Sequence, residues 1–190
     1  MSDHDGIIGK AGKREKLEDP ARVAELDPAG TVERSRRRAG QTRGDSGAGS
    51  GLFSLAAAGM GAKTVWATDT DADILADLKA RASSLPNLQT LPIDGDAYPV
   101  PDESADWILL VTTLHEVAEK EVLLYEMRRM LAPDGTVCLI EFIKARTPMG
   151  PPPEHRLGAQ DVEKLFSREG FYKVSEFQLG ENFYCQTYRL

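Results

Sequence analysis

A chain of 190 residues with 41% hydrophobic and 28% charged side chains suits one α/β domain with a sizeable core and is short for two. A net charge of −7 argues against a general nucleic-acid binder, and no apolar run approaches the ~20 residues of a membrane span. Cys138 and Cys185 make no disulfide framework; each reads as a buried thiol of a reducing compartment, so the cytoplasm is the expected localisation.

The chain opens on Met1-Ser2-Asp3-His4-Asp5, which reads as neither a secretory nor a transit signal. Residues 1–13 are Gly-rich and polar and are expected to form a disordered tail. Residues 14–39 are expected to be a helical segment of a single domain spanning 14–190, with one short helix over Lys16–Leu26 and another over Pro28–Arg37. The first 43 residues carry ten Lys or Arg against eight Asp or Glu, including Arg34, Arg36, Arg37 and Arg38. A solvated helix end explains that run; contact with an anionic substrate or nucleic acid is the alternative.

The body then alternates strand-like and helix-like segments. Residues 41–46 read as a strand, followed by a glycine loop and a helix from Leu52 to about Met60. Thr64–Thr68 reads as a strand, Ala72–Ser84 as a helix with Ile74, Leu75 and Leu78 on one face, and Leu88–Ile93 as a third strand. Asp106–Thr112 is almost continuously apolar, as a strand covered on both faces should be. Glu119–Leu131 is helical, with Val122, Leu123, Met127, Met130 and Leu131 at helical spacing. Pro133-Asp134-Gly135 then turns the chain into a strand over Thr136–Phe142. A Pro-rich loop at 147–153 precedes a helix at about 159–169, and Tyr172–Gln178 with Phe183–Arg189 reads as an antiparallel hairpin.

This order predicts an α/β fold of the Rossmann-like, doubly wound kind, with a mostly parallel sheet and right-handed crossovers. Such sheets bind ligands beyond the carboxyl ends of their central strands. Three segments there carry the chemistry. Asp45-Ser46-Gly47-Ala48-Gly49-Ser50-Gly51 lets backbone approach a ligand without Cβ interference and leads into a helix whose free N–H groups suit an anionic group. Alone this is a weak signal. The dinucleotide fingerprint wants Gly or Ala where Leu52 stands, which disfavours an NAD-linked oxidoreductase. Asp69 follows about twenty residues later, where a carboxylate can accept both ribose hydroxyls; a turn or cap role is the competing account, with Asp71 the better cap. Asp94-Gly95-Asp96-Ala97 comes third; by itself it is a turn, but at a strand end it offers a carboxylate to an adenine amino group.

The runs DSGAGSGLFSLAAAGMGAKTVWATDTDADIL, IDGDAYPVPDESADWILLVTTLHEV and MRRMLAPDGTVCLIEF together resemble a class I S-adenosylmethionine-dependent methyltransferase, most nearly a type 11 small-molecule methyltransferase domain, over roughly residues 40–180. The resemblance implies S-adenosylmethionine as cofactor, S-adenosylhomocysteine as product, and a seven-stranded sheet whose last strand is antiparallel. It places Asp45, Gly47, Gly49 and Gly51 against the methionine part and ribose, Asp69 at the ribose hydroxyls, and Asp96 with Ala97 at adenine; Ala48, Thr70 and Thr112 are expected to complete the cofactor site. One departure stands out. The family's first strand is apolar, whereas Arg43 and Gly44 are poor central-strand residues. They motivate a second reading, a degenerate protein that keeps the fold and the ligand but not turnover.

On the acceptor side, His115 follows the fourth strand where the methyl should point, as a base or as a helix-start residue near the cofactor. The Pro-rich loop ends in Glu154-His155-Arg156. Arg156 is expected to clamp an anionic acceptor and His155 to act as a base, against a Glu154–Arg156 pair that simply holds the loop. Glu141 is expected to line the site or pair with Lys144, and Tyr184 to close the pocket or pack in the core. The acceptor is expected to be a small molecule. No Cys/His cluster has metal-ligand spacing, so no metal is expected, and neither a nucleic-acid nor a membrane partner is.

Overall fold

The computed structural model describes residues 10–34 and 40–190. Arg36, Arg37 and Arg38, the tail expected over residues 1–9 and the end of the second expected helix lie outside them. Three short helices come first: α1 (Lys10–Leu17), α2 (Pro20–Leu26) and α3 (Pro28–Arg34). The expected tail is therefore corrected at residues 10–13, which are helical, and the expected single helix over Lys16–Leu26 is split. The cause is local. Asp19 caps α2 by accepting from the Ala21 and Arg22 backbone N–H groups, and Pro20 stands in its first turn, where a missing N–H costs nothing.

The rest alternates as β1 (Thr42–Ser46), α4 (Leu52–Gly59), β2 (Thr64–Asp69), α5 (Ala72–Arg81), β3 (Leu88–Pro92), β4 (Ala105–Val111), α6 (Lys120–Met130), β5 (Leu131–Phe142), α7 (Ala159–Arg168), β6 (Tyr172–Leu179) and β7 (Phe183–Arg189). The strands form one seven-stranded sheet in the order β3-β2-β1-β4-β5-β7-β6. β1 to β5 pair in parallel, and β7 runs antiparallel to both β5 and β6. The order reverses direction between β1 and β4, which is where an open sheet of this kind leaves a crevice for a ligand.

Helices cover both faces. Val32, Phe53 and Ala57 pack with Val65, Trp107, Leu109 and Ile140 on one side. Leu124, Met127 and Phe166 pack with Ile108, Leu110, Val137, Leu139 and Tyr188 on the other. Within α6 it is Leu124 that is buried, while Val122, expected on the apolar face, is exposed. The turn expected at Pro133-Asp134-Gly135 is drawn into β5: Leu131 pairs with Ala105, the register then slips, and Thr136 pairs with Trp107. Residues 132–135, unpaired between those two positions, take up the extra length as a bulge, with Asp134 at a positive φ of 65°.

β1 is not displaced by its unusual residues. Arg43 is 3% exposed, and its guanidinium carbon sits 5.4 Å from the centre of the Trp107 ring, an arrangement that compensates a cation with an aromatic face. Gly44 pairs with Trp66 and Ile108 in the ladder, and a Cβ added there would meet Ile108 only at an ordinary 3.6 Å. Arg43 lies at the start of the strand, three positions before its carboxyl end, and the tip itself is left to Ser46 and Gly47.

Candidate functional site

At the carboxyl ends of β1 and β2 the glycine loop folds back onto its neighbour. The Gly47 and Ala48 N–H groups donate to the Thr68 carbonyl at 2.8 and 2.9 Å, and the Gly49 N–H donates to Asp69 Oδ2 at 2.8 Å. Asp69 Oδ1 accepts from the Asp71 N–H at 2.9 Å. Each carboxylate oxygen of Asp69 keeps a second lone pair, so the group has capacity to accept from paired hydroxyls of a ligand while holding the loop. Gly47, at φ 71°, is needed twice over: a Cβ there would lie 2.5 Å from the Thr113 side chain. Gly51, at φ 80°, starts α4 against Leu78.

Asp45 is buried beneath this loop and accepts from Ser54 Oγ at 2.5 Å. Burial and the charge of Asp69 push its carboxyl up to about 6, against the Ser54 hydrogen bond, which pulls the other way. Asp45 thus positions α4 from inside the core.

The third tip is tied to the first two. The Ile93 N–H donates to the Asp69 carbonyl at 3.0 Å, and Ser46 Oγ donates to Tyr98 Oη at 3.0 Å. Glu126, on α6, accepts the Tyr98 N–H at 3.1 Å, and Arg129 donates to the Tyr98 and Val100 carbonyls. Asp96 stands exposed at the turn of this segment, with Ala97 bridged to Asp94. Thr70 is exposed beside Asp69. Gly49, Asp69 and the segment bearing Asp96 therefore share one edge, as the sequence implies. A polar, glycine-floored cradle bordered by two carboxylates is chemically fitted to an adenosyl amino-acid ligand.

Beyond β4, Thr112 has a φ of 49°, an uncommon conformation for a β-branched residue and the kind of strain that collects at functional sites. His115 follows, its side chain only 6% exposed. Its Nδ1 lies 2.8 Å from Oε2 of Glu141, which is 1% exposed at the end of β5. The His115 backbone N–H also donates to Glu141 Oε1 at 3.2 Å. Glu141 was expected to line the site or join Lys144; Lys144 instead pairs with Asp161 at 3.6 Å. Burial works against a charged His115 ring, but the hydrogen bond and charge of Glu141, with Glu116, outweigh it and raise the ring above its ordinary value. A carboxylate on Nδ1 fixes the proton there and leaves Nε2 as the basic nitrogen.

The Pro-rich loop corrects two expectations. Arg156 is 3% exposed and points inward, donating to the carbonyls of Pro151, Ile143, Ala145 and Met149 at 2.7 to 3.0 Å. Its guanidinium also lies over the Phe142 ring at 5.0 Å. It organises the loop and does not clamp an acceptor, nor is it paired with Glu154. His155 is exposed on a short 3-10 turn, Pro153–His155, next to an exposed Glu154. Tyr184 is buried and donates to the Leu157 carbonyl at 3.1 Å; burial and Glu141's charge raise its hydroxyl, so it stays protonated and serves as wall and packing.

What sequence reasoning missed is the covering of the cleft by the first two helices. Leu17 Cδ1 lies 3.0 Å from where a Gly49 Cβ would be, and Arg22 donates to Thr112 Oγ1 at 2.9 Å. Lys13 pairs with Asp71 at 3.0 Å, and Arg81 with Glu18 at 3.0 Å. The Asp19-Pro20 cap is the one local signal that would have separated α2 and pointed Arg22 elsewhere.

A profile of the methyltransferase domain family matches residues 44–139. The ubiquinone/menaquinone biosynthesis C-methyltransferase UbiE of Chromobacterium violaceum is 32% identical over 126 residues, which cover 64% of this chain and 51% of that protein. Against the curated relatives it matches, the chain spans between a quarter and about half of their length. Among solved structures, a SAM-dependent methyltransferase from Aquifex aeolicus superposes with a TM-score of 0.88 at 23% identity, covering 95% of this chain and 97% of that one. A putative type 11 methyltransferase from Sulfolobus solfataricus gives 0.68 at 24% identity, covering 78% and 82%.

Proposed function

The chain belongs to the methyltransferase domain family, whose cofactor is S-adenosylmethionine, and from that premise we propose that it methylates a carbon atom of a small organic acceptor, with His115 as the base. The observation that carries the reading is the His115–Glu141 pair, buried at the tips of β4 and β5 beside the glycine-floored cradle. The curated relatives, named as C-methyltransferases, support carbon as the methylated atom.

When bound, S-adenosylmethionine supplies an electrophilic methyl group and leaves as S-adenosylhomocysteine. The chain's own residues do the rest. Gly47, Ala48 and Gly49 bring backbone close to the donor, Asp69 takes its ribose hydroxyls on the lone pairs left by Gly49 and Asp71, and Asp96 with Ala97 lies at the adenine end. Thr112 borders the cradle on the β4 side. Glu141 orients the imidazole, and Nε2 takes the proton that the acceptor gives up as its new bond to methyl forms. Alignment and exclusion of water supply most of the acceleration in a displacement of this kind. Leu17 over Gly49, and the loop that Arg156 fixes, are the parts placed to exclude it. Glu154 and Tyr184 remain candidate acceptor contacts, and His155 is the lesser candidate for a base because it is exposed.

The degenerate reading loses its motive, since Arg43 lies against Trp107 and not in the cleft. A cytoplasmic site of action is supported by Cys138 and Cys185, buried thiols whose sulfurs are 3.5 Å apart. The test is S-adenosylhomocysteine formation over a panel of phenols, quinols and β-dicarbonyl acids, with the methylated atom located by NMR. Turnover that places methyl on carbon, and that falls by about 10²-fold in His115→Asn, is expected. Methylation of oxygen, nitrogen or sulfur alone would refute the carbon assignment, and no turnover over the panel would refute the enzyme reading.

A further inference from the structure

β6 is an open edge of the sheet. Among the described residues no strand pairs with its outer side, which leaves alternate backbone N–H and C=O groups of an eight-residue strand unmatched. Six large hydrophobic side chains are exposed among the described residues, and three of them, Tyr172, Val174 and Phe177, stand on this one strand. The usual protections of an edge are weak here. The strand holds no proline, and its lysine, Lys173, is drawn onto Glu163 at 2.6 Å and Glu176 at 2.7 Å. The opposite edge, β3, is five residues long and ends on Pro92.

The irregularity of β6 sets what can pair with it. Tyr172 and Lys173 lie opposite Arg189 and Tyr188 of β7, the register slips at Val174, and Ser175, Glu176 and Phe177 then lie opposite Thr187, Gln186 and Cys185. Opposed residues of an antiparallel pair point to the same face. Tyr172, Ser175 and Phe177 therefore share one face with Arg189, Thr187 and Cys185, and Lys173 and Glu176 share the other. In a regular strand, alternation would put Tyr172 and Phe177 on opposite faces; the extra residue at Val174 brings them together. A second β6 laid antiparallel about a two-fold axis at Ser175 sets Tyr172 opposite the partner's Phe177 and Lys173 opposite the partner's Glu176. Each match occurs twice, once on either side of the axis. Aromatic pairs and opposite charges directly across a ladder stabilise it, so this edge is complementary to itself.

We propose that the chain forms a two-fold homodimer by antiparallel pairing of β6 with β6 of a second copy, centred on Ser175. The two seven-stranded sheets become continuous, and Tyr172 and Phe177 are covered. The glycine loop, Asp69 and His115 lie at the tips of β1, β2 and β4, which β5 and β7 separate from β6, so both clefts stay open.

The test is sedimentation equilibrium of the native chain, of Lys173→Glu, of Glu176→Lys and of an equimolar mixture of the two variants, with circular dichroism to establish that each is folded. The native chain should be a dimer. Each variant alone sets like charges opposite one another at both matches and should raise the dissociation constant by about tenfold or more. The mixture should restore the dimer, because each variant supplies the charge that the other lacks. Mixing does not restore the bond between positions 173 and 176 within one chain, so recovery reads the contact between chains. Tyr172→Ser, at a side chain that is half exposed, should weaken the dimer likewise, and it carries the comparison if a charge variant does not fold. A monomeric native chain, variants as dimeric as the native chain, or a mixture no more dimeric than its components would overturn the assignment.

Discussion

Glu141 holds His115 twice, by Oε2 to the ring Nδ1 at 2.8 Å and by Oε1 to the backbone N–H at 3.2 Å. The two residues are 26 positions apart in the chain and meet because β4 and β5 are parallel neighbours whose tips end level. Two bonds from one buried carboxylate fix both where the ring sits and which nitrogen is basic.

The pH dependence of turnover follows. His115 must be neutral to accept a proton, and its pKa is raised above the ordinary 6.5. The rising limb of kcat/KM against pH should therefore have its midpoint above 6.5. In Glu141→Gln the charge that raises it is gone, so the limb should move to lower pH as the maximal rate falls. A pH–rate profile of the two proteins checks this, and an unmoved limb would remove His115 from the reaction.

Asp69 has two jobs. From sequence, Asp69→Ala is expected to cost cofactor affinity and leave thermal melting nearly intact. The structure alters the second half of that expectation, because the carboxylate also holds the Gly49 and Asp71 N–H groups at 2.8 and 2.9 Å. Losing both should cost about 1–3 kcal/mol and lower the melting temperature by several degrees, alongside the loss of affinity. Thermal melts and calorimetry on the same variant separate the two effects.

Arg156→Lys should be destabilising despite keeping the charge. A single ammonium cannot span the four carbonyls of Pro151, Ile143, Ala145 and Met149, and those left behind lose the partner that holds the loop together. A loss of about 2 kcal/mol or more is expected, roughly 4–8 °C in melting temperature for a chain of this size. Donor affinity should be unchanged, because the side chain faces the loop and not the cradle. A thermal melt paired with S-adenosylhomocysteine titration would show it.

Asp45 offers a test of opposite sign. Its folded-state carboxyl, at about 6, lies above its unfolded value of 3.8, so the folded chain binds the extra proton between those two values. Stability is therefore lost as pH rises from 3.8 towards 6, and the penalty is fully present above that. Asp45→Asn, which retains an oxygen for Ser54 Oγ, should raise stability at pH 7 by up to about 3 kcal/mol. The gain should vanish near pH 4, and urea unfolding at the two pH values measures it.

The sheet and the grouping of its glycine-bearing and acidic tips were legible because their signals are local. Apolar runs of strand length, glycines followed by a helix, and an acidic residue at the next strand end place Gly49 and Asp69 without knowledge of contacts. Arg156, Glu141 and Arg22 were not legible, because their partners are fixed by three-dimensional closure. Arg156 looked like a substrate ligand since nothing in the sequence shows four carbonyls turned toward it. Arg43 looked like damage to a central strand since nothing shows Trp107 beneath it. The bulge around Asp134 was hidden for a related reason: Pro-Asp-Gly reads as a turn that precedes the strand, and only the pairing of Leu131 with Ala105 shows that the ladder begins before it.

The most direct measurement is a crystal structure with S-adenosylhomocysteine. The account predicts the ribose on Asp69, the adenine along residues 93–98, and the sulfur on the side of the cleft that leads to His115. A ligand bound elsewhere on the protein, with Asp69 and the glycine loop untouched, would contradict it.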